Sequence, residues 1–542
     1  MMFSTNQPLL PRLQKAIRWR FARLKNNHAL REMDHTVANH ALSPQGQPVA
    51  FFNASTRLGS MSLNAAYSLL VSWSLKLSGI PVVHFVCAAG MTRCIHGTDK
   101  ANPHKSPPCR ECIAQSRVNY GQSQADYFDF QPDAAFDSQI ANLSLAEMQA
   151  FTRDGIPLGK ICTSSLRWVM RRYHLREDET TLTLFRHFLR SAWNVARHFE
   201  QFLDTHNPRA LVVFNGITYP EAVARFLAQR RGIRVISHEV NMQPFTAFFT
   251  EEESTFRSAK LPDDFQLTPE QNQRFDEYFS KRTRGQFTMA GVQFWKDIKG
   301  LDESFLAKAS NFKQIVPVFT NVIFDTSQEH ANTLFPHMFA WLDDVLITAK
   351  NHPETFFVLR AHPDEARPGK ASEESVADWV KASGFDALVN TVFIPPTQPL
   401  NSYELITRSK FTMIYTSTIG MESTLLGTPV LCAGRAYFNE YAPAVHYLSS
   451  KDAYAKQLQT FLETSAPIIT PAEHQQNARN FLYTQLYLSS LPFENFLQED
   501  RAWTGYVALK HFSWYELLPQ NNATMRVIQN GILTGTPFRL DA

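Results

Sequence analysis

Short apolar runs alternate with helical patterns along most of the 542-residue chain. The runs in the first half are QPVAFFNAS, IPVVHFVCAA, ALVVFNG and IRVISHEV. Those in the second half are KQIVPVFTN, TFFVLRAHP, NTVFIPP, KFTMIYTST and TPVLCAG. Apolar strands separated by helices are typical of parallel α/β sheets. The pattern therefore predicts an α/β protein with two doubly wound, Rossmann-like domains facing a cleft, with helical insertions.

The same pattern sets the predicted domain boundaries. They are a basic amphipathic helix (1–35), an N-terminal Rossmann-like domain (36–250), a polar connection (251–310), a C-terminal Rossmann-like domain (311–470) and helical segments (471–542). A cysteine-rich loop, 87–112, interrupts the N-terminal domain. Ligands of such sheets bind at the carboxyl ends of the strands, so polar residues that directly follow a strand are the candidates for a site.

Charge and hydropathy narrow the classes of protein. The formal net charge is +3, which is too balanced to indicate a nucleic-acid-binding protein. No stretch has the pattern of a signal peptide, and no apolar run reaches the length of a membrane span. We therefore expect a cytoplasmic protein with reduced cysteines.

The predicted N-terminal helix is strongly basic although the chain as a whole is nearly balanced in charge, since no Asp or Glu precedes Glu32. Its helical spacing places five apolar residues on one face, namely Leu10, Leu13, Ile17, Phe21 and Leu24. Five basic residues occupy much of the rest, namely Arg12, Lys15, Arg18, Arg20 and Arg23. Such a helix can lie on an anionic membrane surface through residues 10–25, as a peripheral contact. Alternatively, it docks on its own protein and leaves the basic face in solvent.

The segment Arg360-Ala-His362-Pro363 follows the apolar run FFVL directly. Arg is suited to paired contacts with phosphate oxygens, and His can donate to a phosphate or titrate near neutral pH. This combination indicates an anion site at a strand end. The alternative is an Arg–carboxylate pair beside a capping histidine.

A second motif, YTSTIGMESTLLGTPV, runs from a strand into a helix. Ser417 and Thr418 can cap the helix and bind an anion at its N-terminus. Gly420 would let a phosphate approach the backbone. Glu422 lies one turn into the helix, where its carboxylate could accept hydrogen bonds from a ribose or sugar diol, or compensate the helix dipole.

Together, and in this order, the two motifs resemble those of capsule and surface polysaccharide biosynthesis transferases, which are two-domain (GT-B) glycosyltransferases. The matching residues are Arg360, His362, Pro363, Ser417, Thr418, Glu422, Gly427, Pro429 and Val430. CDP-glycerol glycerophosphotransferases have a related pattern. The resemblance covers about residues 310–435 and implies that these side chains bind the phosphates and ribose of a nucleotide-activated donor.

Further candidates follow other predicted strands. Asn321 and Asp325 follow the first strand of the C-terminal half and could contact the donor sugar or the acceptor, or satisfy turn backbone groups. Asn215 and the pair His238–Glu239 follow strands of the N-terminal half, where the resemblance places the acceptor. Glu239 or His238 could deprotonate an acceptor hydroxyl. Arg57, in a polar loop, could meet a lipid-linked phosphate.

Cys87, Cys94, Cys109 and Cys112 form a C-x6-C-x14-C-x2-C pattern. The closing C-x2-C suits two ligands of a structural zinc ion, and His84, His96 or His104 could replace a thiolate. An iron–sulfur cluster, a redox pair and unligated thiols are the alternatives.

From the resemblance, we expect a glycosyltransferase that moves a sugar from a nucleotide donor to a surface-polysaccharide or lipid-linked glycan acceptor. His362, Arg360 and the helix near Thr418 would stabilise the departing phosphate, without a catalytic divalent metal. The alternatives are a polyol-phosphate transferase or a sugar-nucleotide epimerase of the same fold, and a non-catalytic scaffold of a polysaccharide assembly complex.

Overall fold

A computed structural model describes residues 9–53, 60–251, 253–256, 261–262, 264–286, 299–440, 442–500 and 505–541. Side chains of the first helix are described at residue 14 and from residue 16 onward. The chain forms two units. Unit 1 contains residues 1–169, 176–254 and 487–542, and unit 2 contains residues 170–175 and 255–486.

The strands of both units, in chain order, are β1 (Val49–Asn53), β2 (Val82–Cys87), β3 (Gln124–Phe128), β4 (Ala210–Phe214), β5 (Arg234–Val240), β6 (Thr246–Glu251), β7 (Gln314–Phe319), β8 (Thr355–Arg360), β9 (Thr391–Ile394), β10 (Thr412–Ile414), β11 (Val430–Cys432), β12 (His446–Tyr447), β13 (Leu491–Pro492), β14 (Leu497–Glu499) and β15 (Val507–Leu509).

The helices are α1 (Leu9–His40), α2 (Leu63–Leu77), α3 (Cys109–Asn119), α4 (Ala134–Ile140), α5 (Leu145–Ala150), α6 (Leu158–Met170), α7 (Glu179–His206), α8 (Tyr219–Arg230), α9 (Pro269–Thr283), α10 (Glu303–Ala309), α11 (Gln328–Ala331), α12 (Met338–Asn351), α13 (Val376–Ser383), α14 (Ser402–Thr407), α15 (Ile419–Leu425), α16 (Lys451–Glu463), α17 (Ala472–Tyr483) and α18 (Ala523–Thr534).

Unit 1 contains a seven-stranded sheet in the order β13-β6-β5-β4-β1-β2-β3. Strands β5, β4, β1, β2 and β3 are parallel to their neighbours, whereas β6 and β13 are antiparallel additions at one edge. The short strands β14 and β15 form a separate antiparallel pair. Helix α2 is buried along most of its length, with Tyr67 and Trp73 in the core, which explains its nearly continuous apolar sequence.

Unit 2 contains a six-stranded, all-parallel sheet in the order β12-β11-β10-β7-β8-β9. Such sheets require helical crossovers, and helices α12 to α15 lie in the connections from β7 through β11. Two units that each hold a mainly parallel sheet with helical connections confirm the predicted α/β class and its two Rossmann-like domains.

The units differ from the predicted domains at three places. Residues 487–542 belong to unit 1, where β13 pairs with β6, and do not form separate C-terminal segments. Most of the predicted connection belongs to unit 2 and includes α9 and α10. Residues 170–175, in the middle of the N-terminal half, also belong to unit 2.

Among the described residues, no helix is both long enough and apolar enough to cross a membrane.

Candidate functional site

Strand register brings three predicted loops of unit 2 to one edge of its sheet. Phe319, the last residue of β7, lies opposite Arg360 of β8 and Ile414 of β10. The Thr320 hydroxyl donates to the Arg360 carbonyl oxygen at 3.3 Å, and Asn321 Oδ1 accepts the Thr416 N–H at 3.0 Å. The loop after β7 therefore joins the two loops that carry the sequence motifs.

Arg360 is the most unusual group at this edge. Its side chain is buried, and within the described part of the chain its one side-chain hydrogen bond is a long contact of 3.5 Å from Nη2 to the Gln398 carbonyl oxygen. Nη1 is buried without a partner, and no carboxylate of the described chain pairs with the guanidinium. Burial lowers the pKa of Arg360 to about 10. An unpaired buried guanidinium is costly, so this one is suited to receive an anion.

His362 lies two residues beyond Arg360 and is partly exposed. Its Nδ1 accepts the Asp364 N–H at 3.2 Å, so the neutral ring carries its proton on Nε2 and can donate there. Burial lowers the pKa of His362, while the carboxylates of Asp364 and Asp325 oppose that shift. His362 therefore has the capping role that the sequence analysis gave as an alternative. Its other ring nitrogen, Nε2, can still act as a hydrogen-bond donor.

Asp325 and Asn321 both satisfy backbone groups. Asp325 is exposed, and its Oδ1 accepts the Ser327 N–H at 2.9 Å. Asp325 thereby adopts the turn-stabilising role that the sequence left open, whereas Asn321 accepts from Thr416 in the loop after β10 and joins two loops. Their contacts with a donor or acceptor stay predictions.

Ser417 and Thr418 are partly exposed at the start of α15. Thr418 is the N-cap residue, but its hydroxyl accepts no helix N–H, so the predicted side-chain cap is wrong. Its backbone is already helical there (φ −62°, ψ −16°), whereas a capping residue usually has an extended backbone.

Gly420 faces the core of unit 2. A Cβ at this position would lie 2.5 Å from Ile414 Cδ1. A close approach to a strand side chain therefore already requires glycine here, and the phosphate contact expected at Gly420 stays a prediction. Gly427, with φ of +83°, lies in the left-handed region just after α15, a conformation that favours glycine.

Glu422 is buried, and both of its carboxylate oxygens accept hydrogen bonds. Oε1 accepts from Arg282 Nε at 2.7 Å and lies 2.5 Å from Arg282 Nη2, while Oε2 accepts from the Tyr403 hydroxyl at 2.7 Å. The Arg282 and Glu422 side chains are 8% and 3% exposed, respectively. In this arrangement the carboxylate fixes α9 and α14 to α15, and its contact with a ribose stays a prediction.

Glu239 is the best-positioned carboxylate of unit 1. It is partly exposed at the end of β5, and Oε1 accepts from Asn64 Nδ2 at 2.8 Å and from the Val240 N–H at 2.9 Å. Oε2 accepts from Asn215 Nδ2 at 3.3 Å. Asn215 has φ of +61°, a left-handed conformation that Asn tolerates better than most residues. The structure thus brings together two of the predicted acceptor-side residues.

His238 differs from its neighbour Glu239 in burial. Burial lowers its pKa to about 3, so the ring is neutral at physiological pH and a weak base. It lines a small open pocket at the carboxyl ends of β1, β4 and β5. The polar residues of that pocket are Asn53, Ser62, Asn64, Ser68, His96, Glu221 and His238. Arg57 lies outside the described residues.

The four clustered cysteines occupy three kinds of structure. Cys87 ends β2, Cys94 lies in the connection that follows, and Cys109 and Cys112 form the first turn of α3. The loop proper therefore spans residues 88–108, shorter than the predicted 87–112. Cys87 Sγ accepts the Gly90 N–H at 3.3 Å, and Cys94 Sγ accepts the Gly97 N–H at 3.2 Å.

The four thiols influence one another electrostatically. Burial raises the pKa of both Cys87 and Cys94, and the thiols of Cys109 and Cys112 raise both further. Nevertheless, no three or more His, Cys, Asp or Glu side chains in the described ranges are arranged as a metal site. His84 Nδ1 lies 2.9 Å from Asn53 Nδ2, whereas its Nε2 is buried without a hydrogen-bond partner among the described residues. Structural zinc stays a prediction.

Metal analysis of the purified protein tests that prediction. We expect about one zinc per chain, because Cys109 and Cys112 share one helical turn, and Cys87 and Cys94 could supply the other two ligands. The double variant Cys109→Ser/Cys112→Ser should lose the metal, whereas Cys162→Ser, at a buried cysteine outside the cluster, should keep it. Metal-free wild-type protein would leave unligated thiols as the answer.

Sequence reasoning missed the partners that hold the predicted residues. Asn64 supports Glu239 from 175 positions away, and Arg282 pairs with Glu422 from 140 positions away. His96 and Glu221 line the pocket of unit 1. The positions of Asn64 and Glu221 at the starts of helices after strands β1 and β4 are the signal that would have selected them.

Residues 213–442, less than half of the chain, match the family of capsule polysaccharide biosynthesis proteins. The match contains both sequence motifs and confirms the predicted resemblance. It also extends upstream into unit 1 as far as β4, and so includes Asn215 and Glu239. No curated protein matches the chain.

Solved structures show only remote similarity. KpsC, a beta Kdo 2,4 transferase of Thermosulfurimonas dismutans, is 13% identical with a TM-score of 0.35, covering 54% of this chain and 87% of its own. A UDP-GlcNAc 2-epimerase of Neisseria meningitidis bound to UDP-GlcNAc is 13% identical with a TM-score of 0.27, covering 81% and 100%. Sucrose-phosphate synthase of Thermosynechococcus elongatus is 10% identical with a TM-score of 0.27, covering 81% and 94%.

Proposed function

Since residues 213–442 match the capsule polysaccharide biosynthesis proteins, we propose that this protein is a glycosyltransferase of capsule or surface-polysaccharide synthesis. It moves a sugar from a nucleotide-activated donor to a glycan or lipid-linked acceptor. The donor phosphates bind at the edge of the sheet of unit 2 where β7, β8 and β10 end. The acceptor hydroxyl binds beside Glu239, near the carboxyl end of β5 in unit 1.

The buried, unpaired guanidinium of Arg360 carries the donor part of the proposal. A phosphate oxygen would supply the missing acceptor for Nη1 and neutralise a charge that has no other counter-ion in the described chain. The Nε2–H of His362 and the hydroxyls of Ser417 and Thr418 are further donors on the same edge of the sheet.

These groups also suit the reaction that a glycosyl donor undergoes. Breaking the bond between the sugar and the nucleotide leaves negative charge on the departing phosphate. Fixed donors aimed at that phosphate stabilise the charge as it develops. In the proposed mechanism Arg360 and His362 perform this task, with no divalent metal required at the reaction centre.

Glu239 is the proposed general base for the acceptor hydroxyl. Its carboxylate is partly exposed, and the amides of Asn64 and Asn215 fix its orientation. Proton removal in the transition state makes the hydroxyl oxygen a better nucleophile. The neutral, buried His238 is a weaker candidate because its pKa is lowered to about 3.

Replacing Glu239 with glutamine should lower kcat by about 10²–10⁴-fold, the usual contribution of a positioned base. Glutamine keeps the size and part of the hydrogen bonding but cannot accept the proton. Steady-state kinetics with saturating donor measure the effect. The control is Glu251→Gln, at an exposed carboxylate of the same unit that pairs with Arg234, which should leave kcat unchanged. A Glu239→Gln enzyme with wild-type kcat would remove this residue from the mechanism.

Donor profiling separates the transferase from the other functions open to this chain. A glycosyltransferase releases free nucleotide from a nucleotide sugar only when an acceptor is present. An epimerase converts the nucleotide sugar without an acceptor, and a polyol-phosphate transferase uses a CDP-polyol donor. A protein that processes none of these donors would be a scaffold, and the proposal would fail.

A further inference from the structure

Helix α1 is attached to unit 1 along one face of its C-terminal half. Asn26, Leu30, Asp34 and Val37 are buried, and they follow one another at helical spacing. Asn26 Oδ1 accepts the Leu509 N–H at 2.9 Å, and Asp34 Oδ1 accepts from Trp73 Nε1 at 3.0 Å. These contacts fix which face of the helix points toward the protein.

The opposite face carries large apolar side chains in solvent. Ile17, Phe21 and Leu24 are 47%, 69% and 64% exposed. At 3.6 residues per turn these three residues form one stripe, about 150° around the helix axis from Leu30. The stripe therefore points away from the surface on which α1 packs. The side chains of Leu10 and Leu13, which the sequence placed on the same face, lie outside the described residues.

Positive charge flanks the stripe on both sides. Arg18 and Lys25 lie on one side and Arg20 on the other, and all three are exposed. No acidic residue precedes Glu32. Arg23 lies nearer the packing face, where its Nη1 donates to Glu111 Oε2 at 2.6 Å. The exposed surface thus combines an apolar centre with a basic border.

We infer that this surface, formed by Ile17, Phe21, Leu24, Arg18, Arg20 and Lys25, binds the surface of an anionic lipid bilayer. The apolar side chains would enter the boundary between headgroups and acyl chains, and the basic residues would contact lipid phosphates. A second copy of the chain is disfavoured as the occupant, because two such surfaces would bring like charges together. The inference is independent of the proposed function, since it concerns no residue of the donor or acceptor sites.

Vesicle flotation of the full-length protein tests the inference. We expect wild-type protein to float with vesicles of phosphatidylcholine and phosphatidylglycerol, to float poorly with phosphatidylcholine alone, and to be released by high salt. The double variant Phe21→Ser/Leu24→Ser should lose binding by at least about tenfold, and Arg18→Gln/Arg20→Gln by about tenfold. Val389→Ser, at an exposed apolar residue of unit 2, is the control that should bind as wild type.

The melting temperatures of both double variants should match wild type, because the replaced side chains are exposed. Failure of the wild-type protein to bind the anionic vesicles would overturn the inference. So would unchanged binding in both double variants. If Phe21→Ser/Leu24→Ser instead reduces the mass of the protein in light scattering, without any vesicle binding by wild type, the surface is an interface between protein chains.

Discussion

Replacing Glu422 with alanine is expected to destabilise unit 2 by about 3–5 kcal/mol. The substitution leaves the buried Arg282 guanidinium without its carboxylate and the Tyr403 hydroxyl without its acceptor. Breaking a buried ion pair by removing one partner is among the few single changes with an effect this large. Urea denaturation followed by fluorescence measures the loss of stability directly.

The matched control is Glu440→Ala, which breaks a surface pair with Arg435 in the same unit. Its two side chains are 39% and 35% exposed, so the loss should stay below about 1 kcal/mol. The double replacement Arg282→Met/Glu422→Leu should recover much of the stability that Glu422→Ala loses, because it removes both charges. A loss below about 1 kcal/mol in Glu422→Ala would contradict the structural role.

Unlike Glu422→Ala, the Arg360→Met substitution should lower activity without lowering stability. Removing an unpaired buried charge relieves its desolvation penalty, so the free protein should be no less stable than wild type. Activity should nevertheless fall by about 10²–10³-fold, because the departing phosphate loses a charged donor. The stability is measured by denaturation of the free protein, and the activity by kcat/KM on the same preparation.

Arg408→Met is the control for this second variant, since Arg408 is half-exposed and pairs with Glu404 on the surface of unit 2. It should change neither stability nor activity appreciably. A large loss of stability in Arg360→Met would mean that Arg360 has a structural partner, and would contradict its role as an anion ligand.

The sequence pattern predicted the parallel cores of both sheets, because fully buried strands such as β1, β2 and β8 are continuous apolar runs. It did not predict β3, whose sequence QADYF is mostly exposed or partly exposed at a sheet edge and has no apolar run. It also did not predict that β13 returns from the C-terminus to extend the sheet of unit 1. That pairing depends on contacts between distant segments, which no local pattern records.

The candidate site, like the fold, could be predicted from the sequence only in part. Arg360 and Asn321 could be selected because the rule of strand carboxyl ends needs only local sequence. The environment of each side chain could not be predicted in this way. Glu422, for example, forms an ion pair with Arg282 of α9, a helix in the segment that the sequence predicted to be an inter-domain connection. Gly420 shows the same limit, because its neighbour Ile414 belongs to the strand on which α15 packs. Local sequence therefore indicated which side chains are candidates for binding a donor. Tertiary contacts determine which of these side chains are already engaged within the protein.

Donor binding to the free protein tests the central claim most directly. Wild-type protein should melt about 5 °C or more higher with its cognate nucleotide at about 100 times the dissociation constant, because ligand binding stabilises the folded state. CMP-, CDP-, UDP-, GDP- and dTDP-linked donors would be screened against wild type, Arg360→Met and Arg408→Met. The account predicts a shift with one class of nucleotide in wild type and Arg408→Met that is absent in Arg360→Met. An equal shift in all three proteins, or no shift with any of the donors, would contradict it.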